Sequence, residues 1–500
     1  MKKQALNPYL PAWEYVPDGE PYVFGGRLYV FGSHDRFGGD CYCMEPYVCW
    51  SAPVDDLSDW TCHGVIYTGK DDTLNETGKR RMFAPDVMEH NGRYYLYYGL
   101  DNSTAVSVAV SEKPQGPYQF YGNVHHKDGQ VWGLKQGDSQ QFDPGVFKDD
   151  DGTVYLYSGF SPTPEMAEKI RKKLGKEADG IRVSAQGNWV VQLEEDMLTL
   201  KTEPKMLLPG VSNSKGSGFE GHEFFEASSM RKFNGKYYAV YSSVQGHELC
   251  YAMSDYPDRR FVYKGVLHSN GNLGVSEKPQ YYYANNHGSL VEIKGAYYIF
   301  GHRHTNYTQY QRQGVAERIF MNPDGTFDQA EMTSQGLNGK PLLGTGEYPA
   351  YIACVLQAKD GACQADVSID KKKHPAVTQI SMPGTQTDNP AVQNPDILKE
   401  QTESFITNMQ DGSIAGFKYF ELHGLKAVSV KVKSTDACTL AVRTHTDGGE
   451  IAEISVDACD TWKEFRAPAD AADGRAALYF IHHGKGSLSF KSFTLTGTFV

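Results

Sequence analysis

The sequence predicts an all-β protein, a five-bladed β-propeller followed by a β-sandwich of the jelly-roll kind. Three observations carry this. The 500 residues include 32 Tyr, 24 Phe and 51 Gly, a composition suited to half-buried strands joined by tight turns. One pattern recurs five times before residue 301: an apolar strand, a turn carrying glycine, and a tyrosine-rich strand. From Ser404 onward that pattern gives way to plainly alternating strands.

The five repeats are Tyr22–Phe31, Val87–Tyr98, Val146–Tyr157, Ser229–Tyr241 and Leu290–Phe300. Their Gly, Asn-Gly and Asp-Gly turns supply the positive φ that tight hairpins need. They follow one another at about 60 to 80 residues, room for one four-stranded blade each, and a radial ring of blades leaves no long open edge. The widest gap, between the third and fourth repeats, holds a helix. Thr163 caps it, Pro164 sits in its first turn, Met166, Ile170 and Leu174 share a face, and Gly175 ends it. The propeller is expected over residues 1–330, a Gly-rich connector over 331–350 and the sandwich over 351–500. Within the sandwich, the Lys-rich run at 371–376 and the Pro/Asn/Thr-rich stretch at 383–396 read as loops. Val428–Lys433, Leu440–Arg443, Ala477–Ile481 and Leu488–Leu495 read as strands.

Charge and motifs narrow the function. No stretch approaches the roughly 20 apolar residues of a membrane helix. A balance of 49 basic against 61 acidic residues, net −12, disfavours a nucleic-acid partner. The N-terminus has no apolar core of a secretory signal, so a cytoplasmic location is expected. The nine cysteines lack paired zinc-type spacing; Cys41-x-Cys43 is the tightest pair, and free thiols are expected. Asp149-Asp150-Asp151-Gly152 reads as a hairpin turn, not a calcium loop, and His302-Arg303-His304 as a polar network along an alternating strand.

Counting back from each hairpin glycine places Asp18 or Glu20, Asp86, Asp143, Glu226 and His287 at comparable positions, where the first strand of each blade opens into the mouth of the channel. Carboxyl groups ringed around a channel push one another's pKa values apart. Two of them facing across a pocket are the minimum for glycosidic hydrolysis, one ionised to activate water and one protonated to release the leaving oxygen. The tyrosines suit a sugar, which offers C–H faces to rings. A sugar-binding propeller without catalysis has no need of three carboxylates in separate blades.

With these residues in view, the chain resembles glycoside hydrolase family 43 from about residue 6 to residue 330. The motifs are Asn7-Pro8, Pro17-Asp18-Gly19-Glu20-Pro21, Leu28 to Asp35, Phe83-Ala84-Pro85-Asp86-Val87, Phe142-Asp143-Pro144-Gly145, Phe225-Glu226-Ala227-Ser228 and Asn286-His287-Gly288-Ser289. The resemblance implies an inverting enzyme acting on β-xylosides and α-L-arabinofuranosides. Short xylo- or arabinoxylo-oligosaccharides are the expected substrates, with debranching of arabinoxylan as the alternative. It implies Asp18 as general base, Asp143 as the aspartate that tunes the acid and Glu226 as general acid. It sets Glu20, Phe83, Asp86 and Arg312 against the substrate and His287 beside a Ca²⁺ that the chemistry itself does not require. Asp18 lies eight residues before Gly26, as His287 does before Gly295. Glu20, on the same strand face, stays open as an alternative base. Asn408–Ser413, Gly416–Phe420, Trp462 and Leu478–Phe480 resemble carbohydrate-binding modules of family 6. An oligomer is compatible with all of this.

Overall fold

The computed structural model describes residues 3–175, 180–183, 186–366, 369–380 and 402–498. The stretch 383–396 read as a loop lies outside the described residues. All five expected hairpins are present, and each opens a separate antiparallel sheet. Blade one comprises β1 (Glu20–Phe24), β2 (Arg27–Phe31), β3 (Tyr47–Pro53) and β4 (Thr61–Tyr67). Blade two comprises β5 (Asp86–His90), β6 (Arg93–Gly99), β7 (Val106–Ser111) and β8 (Gln119–Asn123). Blade three holds β9 (Gly145–Lys148) and β10 (Val154–Ser158), then the helix α1 (Pro164–Leu174), then β11 (Gly187–Gln192) and β12 (Lys205–Pro209). Blade four runs from β13 (Phe224–Phe233) through β14 (Lys236–Ser243) and β15 (Glu248–Ser254) to β16 (Val262–Ser269).

The fifth sheet differs from expectation. It pairs three strands, β17 (Leu290–Ile293), β18 (Ala296–Thr305) and β19 (Thr308–Ile319). The N-terminal segment lies against it instead. Asn7 Nδ2 donates to Ala316 O, Glu317 Oε1 and Thr333 O, and Asn7 Oδ1 accepts from the Ala316 N–H. Together with a Gly19–Gly288 bridge and a shared core of Tyr9, Val16, Val30, Val291 and Phe300, this closes the ring between blades five and one. Near the axis the inner strands crowd. A Cβ on Gly145 would lie 2.2 Å from Ser228 O of the next blade, so only glycine fits there.

Thr163 caps α1 as expected, accepting from the Met166 N–H, but the face that packs is Ala167; Met166 is exposed. The sandwich begins earlier than expected. β20 (Leu342–Leu343) and β21 (Gly346–Pro349) already pair into its sheets, on β25 (Ile414–Leu422) and β31 (Leu488–Thr496). The remaining strands are β22 (Val355–Gln357), β23 (Ala376–Ile380), β24 (Glu403–Met409), β26 (Ala427–Ser434), β27 (Cys438–His445), β28 (Gly448–Val456), β29 (Cys459–Pro468) and β30 (Gly474–Gly484). One sheet runs β20-β25-β30-β27-β28 and the other β23-β24-β31-β26-β29, with Phe417, Phe420, Phe480 and Phe490 buried between them.

The sandwich is fixed to blade five. Arg303 donates to Ala353 O and Tyr351 O, and buried Lys418 reaches Glu331 at 2.8 Å. Because β18 alternates, Arg303 faces the sandwich while His302 and His304 face the other way, His302 toward Asp18.

Candidate active site

Asp18, Asp86, Asp143, Glu226 with Ala227, and His287 stand at or near the start of an inner strand, where the chain enters the ring, whereas His302 and Arg312 lie within β18 and β19. Three have left-handed backbones: Asp18 (φ 57°), Asp143 (φ 44°) and Ala227 (φ 68°). Ala227 carries a β-carbon, so its conformation is strained, by about 1–3 kcal/mol. It sits where β13 slips register between Glu226 and Ser229, an irregularity that re-aims the Glu226 side chain.

Asp18 is 4% exposed and ion-paired, with Oδ1 at 2.9 Å from Arg312 Nη1 and 3.3 Å from His302 Nδ1. Burial alone raises a carboxyl pKa, but here Arg312 and His302 outweigh it and hold Asp18 well below the usual range. Asp35 holds Arg312 in turn, through Nε at 2.8 Å and Nη2 at 3.0 Å. Arg312 was expected at the substrate. It is 2% exposed and its guanidinium spans two carboxylates, so it serves the base from beneath.

Asp143 and Glu226 form the opposite pole. Burial, reinforced by the charge of Asp18, pushes Glu226 up to about 8 despite Arg312. Asp143 is raised well above the ordinary value by burial, then by the charges of Glu226 and Asp18, against an Ala227 N–H that stabilises its anion. The pair therefore holds a proton at neutral pH while Asp18 does not.

Glu20 and Asp86 take neither expected role. Both are almost completely buried, at 1% and 0% exposure, and both face Arg231. Glu20 Oε2 lies 2.6 Å from Arg231 Nη2, and Ser229 Oγ donates to it at 3.1 Å. Asp86 accepts from Tyr22 OH at 2.5 Å and from the Val87 and Val146 N–H groups. Burial raises Glu20 to about 8 over the pull of Arg231, and the nearby charge of Asp86 adds to the rise. Both carboxyls are enclosed in the interior near Arg231. The shared strand face that kept Glu20 open as a base does not hold, since Asp18 precedes β1 with a left-handed backbone while Glu20 begins it.

His287 is 6% exposed, with Nδ1 at 3.6 Å from Asp143 Oδ2 and Nε2 at 3.9 Å from Glu20 Oε1. Burial lowers its pKa to about 4. Glu20 Oε1 is buried with no hydrogen-bond partner, so a cation has a hard oxygen waiting beside the imidazole.

Phe83 is half-buried at the mouth, and the structure adds three residues to it. Ring centroids of Phe83, Phe142, Phe160 and Phe225 follow one another at 5.3, 5.3 and 5.1 Å, an apolar row past Asp143 and Glu226. An aromatic directly before each of those two carboxylates was the signal for Phe142 and Phe225. Phe160 had none. Asp35, Arg231 and His302 were also missed as partners of the carboxylates.

Known proteins share this arrangement of sequence. The family model of glycosyl hydrolases family 43 matches residues 29–327. A xylosidase/arabinosidase of Thermoclostridium stercorarium is 47% identical over 503 residues, covering 99% of each chain. A xylosidase/arabinosidase of Bacteroides ovatus is 32% identical over 311 residues, 59% of this chain and 87% of the relative. Among solved structures, an α-L-arabinofuranosidase from Clostridium thermocellum is 30% identical, covers 64% of this chain and 95% of that one, and gives a TM-score of 0.46. A match across more than half of the chain, and a relative alike from end to end, place this protein in glycoside hydrolase family 43.

Proposed function

We propose that the enzyme is an exo-acting, inverting β-xylosidase with α-L-arabinofuranosidase activity on short xylan-derived oligosaccharides. The observation that carries the reading is the split in protonation across the mouth: ionised Asp18 on blade one, a protonated acid on blade four. Asp18 takes the proton of a water as it attacks the anomeric carbon, and Glu226 gives its proton to the departing glycosidic oxygen. Asp143 keeps the pKa of Glu226 high by its charge, and between turnovers Asp18 loses the proton it took from water to solvent while solvent reprotonates Glu226. The row of phenylalanines offers flat apolar contact to a xylopyranose, which lacks the exocyclic hydroxymethyl of a hexose. The names of the relatives support the same substrate class.

No cofactor is assigned to the chemistry. A Ca²⁺, if bound, would be held by His287 and Glu20 Oε1 with water completing its shell, and would supply positive charge beneath Asp143.

The test is a panel of nitrophenyl β-xyloside, nitrophenyl α-L-arabinofuranoside, xylobiose and arabinoxylan, with the anomer of the first product read by NMR. Turnover of xylobiose with release of α-xylose supports the reading. Cleavage of arabinoxylan alone would replace it by a debranching arabinofuranosidase, and release of β-xylose from nitrophenyl β-xyloside would overturn inversion.

A further inference from the structure

On blade four, at the same end of the blade as Glu226, three side chains of different chemistry converge. His222 precedes β13, Glu248 begins β15 and Cys250 follows two residues later on the same face. His222 Nδ1 lies 2.6 Å from Glu248 Oε1, Cys250 Sγ lies 3.4 Å from the same oxygen, and Nδ1 and Sγ are 3.9 Å apart. Among the described residues, this is a group that brings three metal-binding side chains within 4.8 Å of one another.

We propose that His222, Glu248 and Cys250 form a site for a divalent d-block ion of the Zn²⁺ type, separate from the catalytic carboxylates. A tetrahedral zinc bound to one N, one S and one O sets its ligand atoms about 3.4–3.6 Å apart, from bond lengths near 2.0–2.3 Å. Two of the three observed separations lie close to that range. The third, from Nδ1 to Oε1, must open by somewhat under 1 Å, and the His222 side chain, 37% exposed and set in a loop, is free to give that distance. Its exposure also leaves a fourth position for water.

The surroundings orient the ligands. Ser243 Oγ donates to Glu248 Oε1 at 2.5 Å, and the Tyr263 ring stacks on the His222 imidazole with centroids 5.0 Å apart. Tyr263 OH also lies 4.0 Å from Cys250 Sγ. Such partners fix ring tautomer and carboxylate orientation in metal sites. A thiolate and an imidazole select zinc, cobalt or copper over calcium and magnesium.

The binding step balances simply. Without metal, the Cys250 thiol is protonated, because burial and the Glu248 charge raise its pKa well above the ordinary value. Binding M²⁺ expels that proton to solvent, and the imidazole proton moves from Nδ1 to Nε2. No electron is transferred. The product is a neutral site of M²⁺, thiolate and carboxylate. It ties the loop entering the inner strand β13, four residues before Glu226, to the third strand of the same blade.

Titration of the purified full chain with Co²⁺ tests this. One equivalent should bring up a thiolate-to-cobalt charge-transfer band with release of a proton, and added Zn²⁺ should bleach the band while Ca²⁺ does not. Cys250→Ser should lose the band. His222→Gln, at a half-exposed position, should weaken Co²⁺ binding tenfold or more and remove any rise in Tm that Zn²⁺ gives the wild type. That second variant decides the matter should Cys250→Ser fail to fold. Absence of the band in wild type at excess Co²⁺, or a band untouched by His222→Gln, would overturn the proposal and, in the latter case, send the ion to another of the nine cysteines.

Discussion

Asp18 and Asp143 are the same residue type, each 4% exposed, each left-handed in the backbone and each at the head of a blade, yet their pKa values move in opposite directions. Burial acts on both in the same sense. What differs is the position of one guanidinium. Arg312 touches Asp18 at 2.9 Å and is locked there by Asp35, whereas on the acid side two carboxyls face each other with Arg312 as a more distant charge. The comparison teaches that in this ring desolvation is the background, and the placement of counter-charge decides which carboxyl is base and which is acid.

The strongest way to break the comparison is to remove the base. Asp18→Asn should abolish turnover for every leaving group, a loss beyond the roughly 10²–10⁴-fold typical of a single proton-transfer residue, since nothing else activates water. Glu226→Gln should cost about 10²–10⁴-fold on xylobiose and far less on nitrophenyl xyloside, whose leaving group departs without a proton. Measured kcat/KM on both substrates separates the two. Equal losses on both substrates for Glu226→Gln would remove it as the acid.

A smaller perturbation sharpens the role of Arg312. Arg312→Lys keeps the charge but lacks the planar fork that spans Asp18 and Asp35. Burial then dominates at Asp18, its pKa rises, and the low-pH limb of kcat/KM should move up by about 1 pH unit or more. The alkaline limb, set by Glu226 at about 8, should stay in place. A low-pH limb that did not move would mean that Arg312 does not govern the base.

Much of this was legible before any coordinates, for reasons that differ by residue. The hairpins carry their own turn chemistry, so five blades and the heads of their inner strands follow from local sequence. The three carboxylates proposed as catalytic, Asp18, Asp143 and Glu226, stand at or near those heads. What stayed hidden is depth along the axis. Glu20 and Asp18 are two residues apart, but Asp18 precedes β1 with a left-handed backbone while Glu20 begins it, and two steps of about 3.3 Å each separate them in depth. Asp86 was misread the same way. Its partners Tyr22, Val146 and Arg231 come from three other blades, contacts that no local pattern encodes. The three-stranded fifth blade was missed because its outer edge is covered by residues from the far end of the chain.

Glu20 supplies the next test. Buried and near the charge of Asp86, Glu20 is raised to about 8, and a glutamine mimics its protonated form. Glu20→Gln should therefore change kcat by less than about tenfold, against the 10²–10⁴ expected at an acid or base. Complete loss in Glu20→Gln, with Asp18→Asn the milder of the two, would return the base to Glu20.

The smallest expected effect concerns calcium. His287 Nε2 and the unpartnered Glu20 Oε1 are 3.9 Å apart beneath Asp143. One imidazole and one carboxylate oxygen make a weak site, held largely by charge, because calcium prefers six to eight oxygen ligands. Chelation should then lower kcat only a few-fold, within about 1 kcal/mol of barrier. Added Ca²⁺ should restore it. The sign on pH follows from charge alone. Withdrawing a dication makes each nearby carboxylate harder to ionise, so the alkaline limb near 8 should move upward. Glu20→Gln should make the enzyme indifferent to chelator, since a bound ion would hold Glu20 ionised and an amide cannot ionise. If wild type is equally indifferent, with rate and profile unchanged by chelator or by calcium, His287 is left as a buried neutral imidazole that separates Glu20 from Asp143. The protonation split at the mouth then rests on Arg312 and His302.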